Sequence, residues 1–326
     1  MTNKLHIAYT DEYLGWLLGS GNGSHPTRPV RAKIATELLI DELGEDNIVI
    51  VEPTIEDGDR ESLEEIHNPD FVAEVIDDGI ADDWSGSRLE MGQIALKMFT
   101  GTKRLVEGIL DGEIQVGFNP QGAKHHAQYG WSEGFCVFND HAWSAIEFAK
   151  HGLKPLYIDW DVNAGDGVQN LLAHTDIPTL SIHGHGIYPL HSNTYDSTQN
   201  GKAPYEYHNP EEHWYNYCLP QGSGDKEFAW AIDRIAEKVA EYKPDVILLA
   251  TGADAHELDN WGMKFTYAGY DYASSVVAEL ANKYSNGRVL IGGAGGYKAY
   301  TATPRVWANV VKNIYQKTNK EALTIG

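Results

Sequence analysis

The sequence has few cysteines, a shortage of basic residues and no long apolar run. Cys136 and Cys218 are the only two cysteines in 326 residues, which leaves no disulfide framework and suits a reducing compartment. The 25 Lys and Arg residues face 47 Asp and Glu residues, a net charge of -22, so no basic stripe is present to bind nucleic acid through its phosphates. No stretch approaches the ~18 apolar residues of a membrane span. We therefore expect a cytoplasmic protein that binds neither nucleic acid nor membrane.

Apolar strands and segments with helical spacing alternate along the chain. Seven segments are predicted strands: Leu5 to Tyr9, Asn47 to Val51, Glu113 to Phe118, Leu156 to Asp159, Thr179 to Ile182, Val246 to Ala250 and Val289 to Ile291. Six are predicted helices: Val30 to Leu43, Met91 to Leu110, Asn139 to Lys150, Phe228 to Tyr242, Tyr267 to Tyr284 and Arg305 to Tyr315. The alternation predicts an α/β fold with a mostly parallel sheet between helices. No linker divides the chain, so residues 1–326 are expected to form one domain.

The segment YIDWDVNAGDG is the most informative part of the sequence. Strand side chains alternate between faces, which predicts that Asp159, Asp161 and Asn163 point the same way. Oxygen ligands at the carboxyl end of a parallel strand are typical of a metal site, and Gly165 and Gly167 are expected to let the backbone turn sharply. Two alternatives stay open here. A calcium loop would need Gly at Ala164 and a preceding helix, and an acidic, solvated turn is the default for an Asp/Gly cluster.

The segment KHHAQYG places two adjacent histidines in the loop after the strand Glu113 to Phe118. His125 and His126 lie between Gly122 and Gly130. Imidazole titrates near neutral pH, which favours a role in general acid and base catalysis. A surface or structural histidine pair is the alternative.

Two further strands end in polar or glycine-rich segments. Asp254 in TGADAHELD comes just after the strand Val246 to Ala250. It is either a capping or turn aspartate or a third ligand beside Asp161 and Asn163. The segment RVLIGGAGGY ends in Tyr297, and its glycine spacing does not fit a dinucleotide-binding loop.

In their order and spacing, these motifs resemble the histone deacetylase and acetylpolyamine amidohydrolase family. The motifs are HHA, EGFCVFND, YIDWDVNAGDG, TGADAHELD and GGAGGY, supported by SHPTRP, EIHNPDFV, SIHGHGIYP and LPQGSGDKEF. The resemblance spans nearly the whole chain. It implies an arginase-like three-layer α/β/α fold, in which a single metal ion hydrolyses an acyl amide at the bottom of a narrow tunnel.

The resemblance also assigns roles residue by residue. It implies metal ligands at Asp161, Asn163 and Asp254. It implies a catalytic set of His125 and His126, with Asp159 and Asp166 hydrogen-bonded to their rings and Tyr297 polarising the acyl carbonyl. It implies substrate contacts at Gly134, Phe135 and Tyr188. A structural K⁺ is implied near Asp159, Asp161, Asn163, Ser181 and Ile182. Cys136 is then a packing residue and not a nucleophile.

One position departs from the family pattern D-x-H-x-G-D-G: Asn163 stands where that pattern has a histidine ligand. An amide oxygen is a weaker donor for Zn²⁺ than imidazole and tilts the site towards a more oxygen-loving divalent ion. A variant that still binds metal, a decayed enzyme that binds acyl amines without cutting them, and an introduced substitution are all consistent with this residue. Because both histidines, both partner carboxylates and Tyr297 are retained, we favour a working or weakened hydrolase. Its substrate is expected to be an acylated small amine, such as an acetylpolyamine, or an acyl-lysine side chain.

Overall fold

The structure is a computed structural model that describes residues 4–19, 25–191, 193–199 and 203–322. Within these residues the strands form one sheet in the order β2-β1-β3-β9-β8-β4-β5-β7-β6. The strands are β1 (Leu5–Ala8), β2 (Ile48–Val51), β3 (Val116–Asn119), β4 (Pro155–Asp159), β5 (Thr179–Gly184), β6 (Tyr205–Asn209), β7 (Trp214–Leu219), β8 (Val246–Ala250) and β9 (Val289–Gly292). Every neighbouring pair is parallel except β6 and β7. The predicted mostly parallel sheet is confirmed.

Helices cover both faces of this sheet. They are α1 (Val30–Leu43), α2 (Asp59–Glu64), α3 (Pro69–Ile76), α4 (Leu89–Leu110), α5 (Asp140–Lys150), α6 (Asp166–Leu172), α7 (Asp225–Tyr242), α8 (Tyr267–Tyr284) and α9 (Ala302–Ala322). Leu156 and Ile158 of β4 pack in one core with α1, α7, α8 and α9, whereas Tyr157 packs in the other with α3 to α6. Because successive residues of a strand point to opposite faces of the sheet, β4 contributes side chains to two separate cores. The α/β sandwich expected from the sequence is confirmed.

The strands β6 and β7 and three short helices were not predicted from the sequence. In the structure β5 continues to Gly184, and β6 pairs antiparallel with β7 at the edge of the sheet. The strand β6 is polar and at most half-buried along its length, so it lacks the apolar signal of the central strands. The helices α2, α3 and α6 have eight residues or fewer and are too short for a clear helical period. No helix in the described part of the chain is both long and apolar enough to cross a membrane.

The fold brings the carboxyl ends of five neighbouring strands together. The sheet order places β3, β9, β8, β4 and β5 side by side. The predicted histidine pair follows β3, Tyr297 follows β9, Asp254 follows β8 and Asp161 follows β4. Segments far apart in sequence therefore meet at one edge of a parallel sheet, where α/β folds place their ligands.

Candidate active site

The loop that carries the two histidines is fixed by a buried aspartate at the start of α5. Asp140 accepts hydrogen bonds from the backbone N–H groups of Ala123 at 3.0 Å and Lys124 at 2.8 Å, and from the Thr102 hydroxyl at 2.6 Å. A buried carboxylate with three donors holds its neighbours in one arrangement. The backbone just before His125 is therefore anchored to α4 and α5.

Each histidine is paired with a buried carboxylate. His125 Nδ1 lies 2.7 Å from Asp159 Oδ2, and His126 Nδ1 lies 2.6 Å from Asp166 Oδ1. The two ring centroids are 4.0 Å apart. An acceptor at Nδ1 fixes the proton there, so that the Nε2 atom of a neutral ring is free to accept one. The structure brings together both histidine and carboxylate pairs named from the sequence.

The pair of His125 and Asp159 is strongly polarised. Burial alone would lower the pKa of His125, but the charges of Asp159 and Asp161 outweigh it and raise that pKa to about 9. Burial would likewise raise the pKa of Asp159, yet the facing imidazole and the hydrogen bonds from Tyr157 and the Asp161 N–H lower it. Without a cation at Asp161, this pair is therefore an imidazolium and a carboxylate at neutral pH.

Asp161 and Asp254 face each other beside a glycine. A Cβ atom on Gly295 would lie 2.2 Å from Asp254 Oδ2 and 2.4 Å from Asp161 Oδ2. Asp161 Oδ2 accepts a hydrogen bond from the Gly295 N–H at 2.7 Å, and Asp254 Oδ1 accepts one from the Val162 N–H at 3.0 Å. Asp254 Oδ2 is buried and has no hydrogen-bond partner in the described part of the chain.

This arrangement fits a bound cation. Burial and the nearby Asp161 charge raise the pKa of Asp254 well above its ordinary value, because two buried carboxylates cannot both be ionised cheaply without a counter-charge. A divalent ion between them would supply that charge and a partner for the unpaired Asp254 Oδ2. Asn163 and Asp161 both line one pocket, which is also lined by His125, His126 and Tyr297. The donor set of two carboxylates and an amide oxygen suits a hard or borderline divalent ion.

The side chain of Asn163 is held by a backbone carbonyl. Its Nδ2 donates to the Tyr188 carbonyl oxygen at 2.7 Å, which leaves Oδ1 as the atom able to bind an ion. The two nearby histidines are engaged elsewhere: His183 bonds to Ser181 Oγ and the Thr194 carbonyl, and His185 bonds to the Tyr205 hydroxyl. Neither ring replaces the imidazole missing at position 163.

Tyr297 stands beside the facing carboxylates. Its backbone N–H donates to Asp259 Oδ2 at 2.8 Å, and its ring packs edge-on against Phe135, with centroids 6.2 Å apart. Burial and the charges of Asp254 and Asp161 raise the pKa of Tyr297 well above its ordinary value. The phenol is therefore a neutral hydrogen-bond donor at all physiological pH values.

The residues expected to line the tunnel also lie around this pocket. Gly134 has a φ of 57° and Phe135 a φ of 69°, a left-handed backbone that costs free energy for a non-glycine residue. A Cβ on Gly134 would lie 2.4 Å from the His126 ring, so position 134 must be glycine. The Tyr188 ring meets the His126 ring edge-on with centroids 5.1 Å apart. Tyr188 thus lies against the histidine pair, and Phe135 lies against Tyr297.

The geometry corrects two details of the YIDWDVNAGDG segment. The strand β4 ends at Asp159, so strand alternation does not orient the residues after it. Instead, Asp159 Oδ1 accepts the Asp161 N–H and Asp161 Oδ1 accepts the Asn163 N–H, a run of side-chain-to-backbone turns. Gly165 has an ordinary φ of -75°. It is needed because a Cβ there would lie 2.4 Å from Asp159 Oδ2.

The residues implied for the structural K⁺ lie on β4, on β5 and in the turn after β4. The sheet register pairs Asp159 with Ser181, next to Ile182, which brings the two strands of the expected K⁺ site together; the site itself stays a prediction.

Burial raises the pKa of the Cys136 thiol to about 12. A thiolate nucleophile at neutral pH is thereby disfavoured.

Sequence reasoning missed several polar groups around Asp166. Its Oδ2 accepts a hydrogen bond from Gln128 Nε2 at 2.8 Å and lies 3.3 Å from His191 Nε2. Glu133, Asp166 and His191 carry ligand atoms within 4.8 Å of one another. Gln128 is part of the KHHAQYG motif, so that motif could have drawn attention to it. His191 lies outside every motif, and no sequence pattern predicts that it lies beside Asp166.

Comparison with known proteins decides the family. A family profile described as "Histone deacetylase domain" matches residues 25–314. The chain belongs to the histone deacetylase family. The "Acetoin utilization protein AcuC" of Staphylococcus aureus (strain Mu50) is 29% identical over 326 residues, covering 95% of this chain and 81% of that protein. The protein of the same name from Bacillus subtilis (strain 168) is 33% identical over 226 residues, or 68% and 56% of the two chains. The crystal structure of the HDA15 HD domain has a TM-score of 0.78 at 22% identity, and the match covers 100% of this chain and 94% of that one.

Membership of the histone deacetylase family confirms the reaction class expected from the sequence. The chain is a deacetylase, a hydrolase that acts on acetylated amines. Binding of acyl amines without hydrolysis is not favoured. The family also implies a metal cofactor, in agreement with the facing carboxylates of Asp161 and Asp254.

Proposed function

We propose that the protein hydrolyses the amide bond of an acetylated amine with a divalent ion held by Asp161, Asn163 and Asp254. The observation that carries the proposal is the unpaired Oδ2 of Asp254, which faces Asp161 across Gly295. Asp161 borders the pocket that is also lined by His125, His126 and Asn163. When bound, such an ion polarises the acyl carbonyl and lowers the pKa of water. Zn²⁺ is the ion the family resemblance suggests, whereas three oxygen donors favour a harder ion such as Mn²⁺.

His126 is proposed as the general base. Asp166 accepts at its Nδ1, so the proton on the ring stays there and Nε2 is free to accept one from the attacking water. His125 is proposed to be held in place by the hydrogen bond between its Nδ1 and Asp159. Once His126 has taken the proton of the water, one of the two rings donates a proton to the leaving nitrogen, so that the C–N bond breaks with release of the neutral amine.

Tyr297 is proposed to stabilise the oxyanion that develops on the acyl oxygen. The phenol is neutral and lies at the same pocket as both histidines. A donor aimed at a developing charge in a buried site is worth about 3 kcal/mol. Phe135, Tyr188 and the Gly134 carbonyl are proposed to contact the chain of the substrate.

The rim of the pocket supports a cationic amine substrate. A cavity of about 280 Å³ lies next to Tyr297 and Phe135 and is lined by Pro26, Trp261 and Asp259, among others. Aromatic faces and a carboxylate favour a positively charged chain. We propose an acetylpolyamine or an acetyl-lysine side chain as the substrate, a single catalytic domain over residues 1–326, and a structural K⁺ near Asp159 and Ser181. The cytoplasmic location stays a prediction.

Metal dependence and substrate range can be tested together. The purified chain is treated with a chelator, and Zn²⁺, Mn²⁺, Fe²⁺ or Co²⁺ is added back singly while amine release from acetylputrescine and an acetyl-lysine peptide is measured. We expect chelation to abolish amine release and one ion to restore it. Asp254→Asn should bind that ion more weakly, whereas the exposed-surface variant Glu241→Gln should match the native chain. Full turnover in metal-free protein would contradict the proposal.

A further inference from the structure

Gln128 is a buried amide that contacts both members of the His126 and Asp166 pair. The residue is 4% exposed, and its Nε2 donates to Asp166 Oδ2 at 2.8 Å and to the His126 carbonyl oxygen at 3.1 Å. An amide nitrogen carries two protons, so each of these bonds uses one of them. A single NH2 group therefore ties the carboxylate to the backbone of the residue whose ring that carboxylate orients.

The remaining contacts of Gln128 leave its side chain one orientation. Its Oε1 accepts a hydrogen bond from Asn170 Nδ2 at 3.0 Å. An amide turned round would face Asp166 and the His126 carbonyl with its oxygen, and an ionised carboxylate and a carbonyl can only accept. The backbone is held as well, because the Gln128 N–H donates to the Trp131 carbonyl at 3.1 Å. Gln128 is thus a fixed donor to Asp166.

A second group reaches the same carboxylate oxygen but is less well placed. His191 Nε2 lies 3.3 Å from Asp166 Oδ2, and the His191 side chain is 48% exposed, so water competes for this contact. Gln128 is both closer and buried, which makes it the stronger constraint on the carboxylate. The other oxygen, Oδ1, lies 2.6 Å from His126 Nδ1. Asp166 therefore lies between the ring that it orients and the amide that holds it.

Holding Asp166 in place matters because its carboxylate can rotate. An aspartate turns easily about its Cβ–Cγ bond, since terminal torsions of this kind have broad energy wells. The bond from Gln128 to Oδ2 restrains this rotation, so that Oδ1 stays on His126 Nδ1 and the ring keeps its proton there. Removing an outer hydrogen-bond partner of this kind typically lowers the activity of a metal site about 10- to 100-fold.

We propose that Gln128 is a positioning residue for the general base, and that it holds the His126 ring in the orientation that accepts the proton of the water. The inference rests on the role of His126 in the proposed function. Gln128 acts through Asp166 and the His126 backbone and not on the substrate. Its loss should therefore lower kcat and leave KM nearly unchanged. Asn170 supports this role by fixing the direction of the Gln128 amide.

Steady-state kinetics on the metal-loaded chain test this role with acetylputrescine as the substrate. In Gln128→Met the side chain keeps its length and cannot donate. The matched control is Gln169→Met, because Gln169 is equally buried and donates to the Asn193 carbonyl instead of Asp166. We expect Gln128→Met to lose about tenfold or more in kcat with KM changed less than about twofold, and Gln169→Met to keep a native kcat. An unchanged kcat in Gln128→Met, or an equal loss in both variants, would overturn the proposal.

Asn170 offers a second, milder perturbation. It is exposed, and Asn170→Ala removes the donor that fixes the Gln128 amide. We expect kcat to fall about two- to fivefold, and the double variant Gln128→Met/Asn170→Ala to be no slower than Gln128→Met alone, because both changes act through one path. Losses that multiply in the double variant would contradict the proposal. If Gln128→Met does not fold, a native kcat in Asn170→Ala counts against it.

A measurement that needs no turnover separates this inference from the proposed function. The Nδ1–H proton of His126 is identified by NMR through its absence in His126→Gln, and its exchange with solvent is compared in the native chain and Gln128→Met. We expect faster exchange in Gln128→Met, and an unchanged exchange rate would overturn the proposal. Faster exchange in this variant, with no amine release from the native chain, would reject the proposed function and leave the positioning role standing. Amine release from the native chain with equal exchange in both would do the reverse.

Discussion

Asn163 Nδ2 donates a hydrogen bond to the Tyr188 carbonyl oxygen at 2.7 Å. In metal sites, a ligand often donates to a carbonyl or carboxylate with one atom while another atom binds the ion. An imidazole can do both with its two ring nitrogens, and an amide can do both with Nδ2 and Oδ1. The Tyr188 carbonyl thus orients Asn163 as it would orient a histidine.

The first prediction concerns this residue. Asn163→His should tighten Zn²⁺ binding by one to two orders of magnitude, roughly 1.4–2.8 kcal/mol, because a nitrogen donor replaces an amide oxygen while the bond to the Tyr188 carbonyl can be kept. A competition titration with a zinc indicator measures the change. Asn47→His places a histidine at an exposed position and controls for zinc binding at the surface. Equal zinc affinity in the native chain and Asn163→His would show that position 163 does not bind the ion.

The second prediction concerns the glycine between the carboxylates. Gly295→Ala would place a Cβ 2.2 Å from Asp254 Oδ2, so the carboxylates must move apart, and we expect divalent-ion affinity to fall at least tenfold. The overpacking should also cost about 1–3 kcal/mol of stability. Gly224→Ala is the control, because its Cβ would meet its nearest atom at 3.5 Å. Ion affinity is measured by calorimetry, and native-like affinity in Gly295→Ala would mean that the ion lies elsewhere.

The third prediction concerns acid stability and a buried carboxylate far from the site. Asp59 is bonded to Lys103 Nζ at 2.7 Å and to Arg104 Nη2 at 2.6 Å. Burial would raise the pKa of Asp59, but Lys103, the Glu56 N–H and Arg104 outweigh it and lower that pKa. The stabilisation is therefore fully present above the unfolded pKa near 3.9 and is lost as the pH falls through the lower folded value.

Replacing Asp59 by a neutral residue tests the direction of this pKa shift. Asp59→Asn should cost about 3 kcal/mol at pH 7, because Lys103 and Arg104 lose a buried partner. The cost should shrink as the pH falls below about 4, where the carboxyl of the unfolded chain binds a proton, and should vanish below the lowered folded pKa. Urea unfolding at pH 7 and at pH 3.5 measures both values. Glu241→Gln breaks an exposed pair with Lys238 and should change stability by less than 1 kcal/mol. A cost for Asp59→Asn that does not depend on pH would contradict the lowered pKa.

The central strands and the long helices could be predicted from the sequence because the patterns that indicate them are local. The central strands are short apolar runs, and α1 and α8 begin and end at the predicted residues. The pairings of His125 with Asp159 and of His126 with Asp166 were accessible through the resemblance. The place of Arg31 at the pocket could not be predicted, because it depends on packing between α1 and the loop after β3, which no local pattern encodes.

The fourth prediction separates hydrolysis from binding. Tyr297→Phe keeps the ring that packs on Phe135 and removes only the hydroxyl. If the phenol stabilises the charge that develops on the acyl oxygen, this variant should lose ~100-fold or more in single-turnover amine release while its affinity for an acetylated diamine stays nearly unchanged. Tyr300→Phe is the matched control, since Tyr300 is exposed. Calorimetry and amine release are measured on the same metal-loaded samples. An equal loss of affinity and of rate would mean that Tyr297 binds the ground state, and native rates in Tyr297→Phe would remove the phenol from the mechanism.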